Sequence, residues 1–187
     1  MENFSMFEQA LLLANTSSRL EDLGSIPYIS RRTFDERETF LFRSQTPCLE
    51  YVSLLIENAL LLRANRAGRI YACFEKLSRM EPVIDRYLRI ADLSERVYIF
   101  GEADWKPPRH PNMKVITLPS NFQLARECFL IADSSTLQAA LVAAHEEEHD
   151  APVLEARILR IFKSSNKSIV ARLASITEGL IDSSLAA

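Results

Sequence analysis

The chain has few glycines, few cysteines, one tryptophan and no long apolar run, and each scarcity excludes something. Four glycines in 187 residues leave no glycine-rich phosphate loop, and no Walker pattern is present. Cys48, Cys73 and Cys128 are odd in number, far apart and set among apolar neighbours. They supply no C-x-x-C, no disulfide framework and no zinc knuckle, and are expected to be small buried hydrophobes. No serine sits in a nucleophile elbow. No apolar stretch approaches the roughly 20 residues of a membrane span, and MENFSMFEQ places no basic region ahead of a hydrophobic segment. A cytoplasmic location is therefore expected. A net charge of -3 gives no electrostatic pull toward nucleic acid or anionic lipid, so neither is an expected partner.

What is present is ordinary globular material, 48% hydrophobic and 25% charged, enough for one domain or one domain with a helical extension. The chain is organised around Arg69 to Glu102. Ile70 to Phe74 is rich in branched and aromatic residues and reads as a buried strand. Leu77, Met80, Ile84, Tyr87, Leu88 and Ala91 then recur at spacings of three and four, which predicts a helix with one apolar face. Val97 to Phe100 reads as a second strand. Neither element hides its apolar side alone, so the helix must lie on a sheet.

Ahead of this unit, Ser5 and Glu8 have capping-box spacing, and Phe7, Ala10, Leu11 and Ala14 predict a helix ending near Asn15. Residues 16 to 37 lack a period and read as a loop with at most a short strand near Tyr28. Thr39 to Arg43 reads as a strand. Thr46 and Pro47 start a helix whose apolar stripe runs through Cys48, Val52, Leu55, Ala59 and Leu62, widened by Leu54, Ile56, Leu60 and Leu61. So apolar a helix is either covered on several sides or lies in a subunit interface. Gly68 is expected to cap it in a left-handed conformation.

After the unit, EADWKPPRHPN is a loop that Trp105 would pin to the body. Met113 to Leu118 reads as a strand. Arg126 to Ala132 and Gln138 to Ala143 read as a hairpin-like pair turning at DSSTL, although AALVAA fits a helix equally well. Beyond Pro152, Leu154, Ile158, Ile161 and Phe162 predict one amphipathic helix, and Ile169, Leu173, Ile176 and Leu180 another, with Ser164 to Asn166 between them. There are no internal repeats.

CFEKLSRMEPVIDRYLRIADLSERVYIFG, with LPSNFQLARECFLIADSSTLQAALVAAHEE further on, resembles the DICT sensory domain of bacterial diguanylate cyclases and two-component proteins, over roughly residues 5 to 148. The most specific pieces are CFE, RYLRIAD and LAR-x-CFLIAD, with Cys128 where the family pattern leads one to expect Trp. The resemblance implies a small α+β signal-input domain with a four-stranded sheet, a link to light responses, and no established chemistry.

Several constellations have a chemical and an ordinary reading. His145, Glu146 and His149 spell H-E-x-x-H, which on a packed helix would hold zinc and a general base. Here it follows a predicted strand, lies in an acidic run and meets Pro152, and it reads better as a solvated connector. Arg79, Arg86 and Arg89 could receive a phosphate or carboxylate, or could pair with Glu75, Glu81 or Asp85 along the same helix. Tyr71, Phe74, Tyr87, Tyr98, Phe100 and Trp105 could line a chromophore pocket, but strand aromatics are usually core. His110 has no evident partner. No cofactor, metal or catalytic residue is assigned.

The expectation is an α+β fold with a mixed or antiparallel sheet of about four to five strands flanked by helices. Residues 1–150 form the sensory domain and 151–187 a helical extension for homodimerisation or output. The function expected is non-enzymatic signal input to a signalling protein partner or output domain, with Arg79, Arg86, Arg89, Tyr71, Tyr98 and Trp105 as ligand- or partner-binding candidates. The alternatives are a constitutive protein-protein scaffold or a metal-dependent hydrolase using HEEEH.

Overall fold

The computed structural model describes residues 2–17, 19–63, 68–146 and 153–185. One mixed sheet of eight strands runs through the molecule in the order β1-β2-β8-β7-β6-β3-β4-β5. The strands are β1 (Glu21–Ser25), β2 (Thr39–Gln45), β3 (Arg69–Lys76), β4 (Arg96–Glu102), β5 (Met113–Thr117), β6 (Glu127–Asp133), β7 (Gln138–His145) and β8 (Ile158–Ser164). Strands β3, β4 and β5 are parallel, β1 is parallel to β2, and the middle of the sheet is antiparallel. Helices α1 (Met6–Ser17) and α5 (Lys167–Leu185) cover one face. The other face carries α2 (Arg31–Glu36), α3 (Thr46–Leu62) and α4 (Ile84–Leu93).

Two apolar layers result, and the central strands feed both. Ile70 and Ala72 of β3 enter the α3/α4 layer, while Tyr71 and Cys73 enter the α1/α5 layer. This is why β3 reads as an unbroken apolar run: a strand covered on both faces has no polar side to show. The organising unit is present as read, with one change. Pro82 leaves Leu77–Val83 as a 3₁₀ segment, and α-helix begins only at Ile84.

The sheet is larger than the four to five strands expected: all six strands read individually belong to it, and β1 and β8 are added. The helix predicted over Leu154 to Phe162 is a strand, paired antiparallel with β2 on one side and β7 on the other. In the run Ile158 to Phe162, Leu159 and Ile161 face one layer and Phe162 the other. A short apolar run of that kind has helical spacing by accident, because a doubly covered strand is apolar at nearly every position, here all but Arg160. Among the described residues of the helical extension expected over 151–187, Leu154–Ala156 forms a single 3₁₀ turn and α5 is the one α-helix. Its start is set by Asn166, whose Oδ1 accepts hydrogen bonds from Ser168 N at 3.1 Å and Ile169 N at 3.2 Å. The apolar face of α5 packs on the chain's own sheet through Ile169, Val170, Leu173 and Ile181, so it has no need of a second subunit for cover.

Other readings change locally. The loop expected over 16 to 37 contains β1 and α2, and the short strand lies before Tyr28. AALVAA is strand, as part of β7. Gly68 does not have positive φ; it is needed because a Cβ there would come 2.7 Å from Ser134 Cβ at the β6–β7 turn. Residues 64–67, between this helix and Gly68, lie outside the described residues; the helix itself stops at Leu62.

Two buried charges lock the outer layers. Glu127 on β6 is 1% exposed; its carboxylate accepts hydrogen bonds from Ser5 Oγ at 2.5 Å, Met6 N at 2.8 Å and Phe7 N at 3.2 Å. The expected capping box is thus half local, with Glu8 N donating to Ser5 Oγ, and half supplied from the sheet. Lys163 on β8 is 2% exposed, and its Nζ donates to Phe34 O at 2.9 Å and Arg37 O at 2.6 Å, closing the carbonyl end of α2. Burial brings its pKa down to about 8.

Candidate functional site

The parallel strands β3 and β4 end side by side, and irregular backbone gathers there. Glu75, at the end of β3, has φ 58°, a left-handed conformation that costs a non-glycine residue energy. It lies where the β3–β4 register slips, between Cys73 and Lys76. Its carboxylate is buried and engaged on both oxygens. Oε1 accepts from His145 Nε2 at 2.7 Å and from Cys128 Sγ at 3.4 Å, and Oε2 is 2.5 Å from Arg79 Nη1. Because a carboxylate only accepts, the His145 proton is on Nε2. One side chain therefore ties the ends of β3, β6 and β7 to the 3₁₀ segment.

Burial acts to raise the Glu75 pKa, but the His145 hydrogen bond and the Arg79 charge outweigh it and hold the carboxyl below its ordinary range. Burial and the Glu75 charge push the Cys128 thiol well above its usual value, and burial takes Cys73 up to about 12. Both are protonated thiols at neutral pH and poor nucleophiles.

Two residues past Glu75, Leu77 packs against Gly101 of β4 so closely that a Cβ there would lie 3.1 Å from its Cδ2. Leu77 also lines a cleft of about 780 Å³ roofed by the segment between β4 and β5. That segment, residues 103–112, crosses from β4 to β5 without a helix, and it is fastened at both ends. Asp104 accepts from Ser78 N at 2.9 Å and Ser78 Oγ at 2.5 Å, and the Ser78 hydroxyl bond holds its carboxyl below the usual range. At the far end His110 Nε2 meets Asp92 Oδ1 at 3.0 Å, Asn112 N donates to His110 Nδ1 at 3.1 Å, and Asn112 Nδ2 donates to Ala91 O at 3.1 Å. His110 is thus partnered after all. Trp105 sits in the cleft wall and packs on the α3/α4 layer, the anchoring role expected of it.

At the opposite end of β3 a second polar group meets α5. Tyr71 Oη donates to Glu178 Oε1 at 2.6 Å, Arg69 Nη1 reaches the same oxygen at 2.9 Å, and Arg69 also pairs with Glu95 at 3.1 Å. Tyr98 stacks on Tyr71 with centroids 5.5 Å apart and planes 5° from parallel. Burial and the Glu178 bond raise the Tyr71 pKa, so the phenol stays a donor.

The six sequence-predicted binding residues do not converge. Tyr71 and Tyr98 lie on the α1/α5 face; Trp105 lies on the α3/α4 face. Arg79 and Arg86 are not one helical row, because the 3₁₀ segment separates them, and both are ion-paired, Arg79 with Glu75 and Arg86 with buried Glu57 of α3 at 2.6 Å. Arg89 is exposed. Tyr87 and Phe100 are core, and half-buried Phe74 packs against it. The H-E-x-x-H motif does not begin on a helix: His145 ends strand β7 and faces Glu75, Glu146 pairs with Arg43, and His149 lies outside the described residues. Among the described residues no three His, Cys, Asp or Glu side chains are grouped to hold a metal, and no helix is long and apolar enough to cross a membrane. Sequence reasoning named Glu75 only as an ion-pair partner for the arginines, which it is for Arg79, and passed over Asp104 and Glu178. Glu75 was signalled by an acidic residue ending an otherwise apolar strand, inside the CFE piece itself.

The family model described as the sensory domain in diguanylate cyclases and two-component systems, DICT, matches residues 43–147, which is 105 of 187. The chain belongs to the DICT family. The match runs from the end of β2 to just past β7 and so contains five whole strands, β3 to β7, together with Glu75, Cys128, His145 and the Trp105 cleft. Those five strands are one more than the four-stranded sheet the resemblance implied. In this DICT protein β8, β2 and β1 extend it, and α1 and α5, also outside the match, cover one face. Neither a search of curated proteins nor one of solved structures found a match. Membership gives the chain a sensory role in signalling.

Proposed function

We propose that this DICT chain is a non-enzymatic signal-input module whose sensing side is the α3/α4 face around Glu75 and the Trp105 cleft, and whose output element is α5. The observation that carries the reading is that β3 has polar engagements at both ends. Glu75 binds β6, β7 and the 3₁₀ segment at one end; Arg69 and Tyr71 grip Glu178 of α5 at the other. A packed strand transmits displacement because a core has discrete packings and does not deform smoothly. A ligand or partner that favours one arrangement of the Glu75 end would shift the population of arrangements at α5, and an output domain or separate signalling protein would read it there.

Hydrogen exchange tests this without knowledge of the signal. Glu75→Gln is compared with Val52→Ala, a core truncation in α3, at conditions giving matched global stability. The relay predicts that Glu75→Gln changes exchange within α5 beyond the change caused by Val52→Ala. Equal α5 exchange in the two variants would remove the relay.

A further inference from the structure

The cleft beneath the β4–β5 crossing has the make-up of a small-molecule site. It is open to solvent, and its volume of about 780 Å³ falls within the range of ligand pockets. Leu77, Trp105, Met113 and Val115 supply an apolar floor and wall. Lys106 and Arg109 are exposed, lie on the roof segment and have no ion-pair partner among the described residues. The single carboxylate in the lining, Asp104, is occupied by the Ser78 amide and hydroxyl, and His110 is held between Asp92 and the Asn112 amide. Lys114 also borders the cleft, but it alternates with Met113 and Val115 along β5 and so belongs to the other face. Two free cations thus stand over an apolar slot in a chain whose net charge is negative.

The frame of the slot is rigid. Pro107, Pro108 and Pro111 limit the crossing segment, Pro107 is buried, and both ends are hydrogen-bonded to neighbouring elements. Such preorganisation lowers the ordering cost of binding. Leu77, in the floor, is two residues from Glu75, so an occupant would press on the strained end of β3.

We infer that this cleft binds a small organic anion: a flat apolar ring beside Trp105, with a phosphate or carboxylate group held by Lys106 and Arg109. The inference deepens the signalling reading by naming the chemistry of its input. It is tested separately, because binding is read at the cleft and relay is read at α5.

Trp105 is the sole tryptophan, so its fluorescence reports this cleft alone. The intact chain is titrated with phenyl phosphate and with benzoate, which separate the two anion types, and with phenol and inorganic phosphate, which each lack one half of the ligand. The expected result is a saturable change with at least one ring-bearing anion, weakened roughly tenfold or more in phenol, in inorganic phosphate and in a Lys106→Gln/Arg109→Gln variant, as expected for losing a charge-assisted contact. Both substituted residues are exposed, so folding is not at issue. Absence of a saturable change with either ring-bearing anion overturns the inference, and so does equal binding by phenol, by inorganic phosphate or by the double variant.

Discussion

Glu75 is the residue at which strain and burial meet, and its substitution separates the two. Breaking a buried ion pair by removing one member costs about 3–5 kcal/mol, and a hydrogen bond to a charged group contributes about 1.5–3 kcal/mol. Arg79 keeps 26% of its side chain in solvent, so its orphaned charge is partly hydrated and the cost falls toward the low end. Glu75→Gln, which keeps the shape and one acceptor, is expected to lose about 2–3 kcal/mol; Glu75→Ala, which keeps neither, about 3–4 kcal/mol. The backbone contributes with the opposite sign. At φ 58° a side chain costs about 1–2 kcal/mol that glycine does not, so Glu75→Gly should be more stable than Glu75→Ala by about 1 kcal/mol. In ordinary strand or helix the order is the reverse. The assay is urea unfolding followed by circular dichroism and Trp105 fluorescence. The folded-state pKa of Glu75 lies below its unfolded value, so its contribution is full above the ordinary carboxyl range and disappears as pH falls through the folded value. The wild-type advantage over Glu75→Gln should accordingly shrink in acid. Finding Ala at least as stable as Gly would refute the left-handed conformation, and a stability loss by Glu75→Gln under about 0.5 kcal/mol would refute the three-way engagement.

Two further outcomes test the anchors of the outer layers. Glu127→Ala leaves the buried Met6 and Phe7 amides without an acceptor and should cost about 3 kcal/mol, whereas Glu127→Gln keeps an acceptor for both and should stay within about 1 kcal/mol of wild type by the same urea assay; equal losses would discredit the capping role. Lys163 has a folded pKa of about 8 against 10.5 unfolded, so between those values the unfolded chain binds more protons and stability rises with pH. Across that window wild type should gain about 3 kcal/mol relative to Lys163→Met, with a flat difference counting against the buried ammonium.

Where local pattern and tertiary position agreed, the sequence was readable. β3, α4 and β4 follow from apolar periodicity and from the need to lay a helix on a sheet, and α3 from Thr46-Pro47 ahead of a long apolar stripe. The β6–β7 turn at Ser134 to Leu137 was legible for a similar reason, since Ser134 Oγ accepts from Leu137 N within the turn itself. β8 was not legible. Its run is apolar at most positions because strands lie on both its sides and helices on both its faces, and of those neighbours β2, α1 and α3 are all more than 90 residues away in sequence.

The candidate site divides along the same line. Composition and motif alone excluded phosphate loops, cysteine frameworks and nucleophile elbows, and the CFE and CFLIAD pieces pointed to the family. Which charges are free and which are spent was decided only by folding. The Arg79 pair with Glu75, four residues earlier, was legible in the chain, but Arg86 looks available there, and its partner Glu57 reaches it from a different helix. Lys106 and Arg109 look like loop charges, yet they stand above an apolar slot that exists because β4 and β5 are joined without a helix. A sequence fixes the propensity of each segment; the pairing of buried charge is settled by contacts between segments far apart along the chain, where desolvation leaves few tolerable partners.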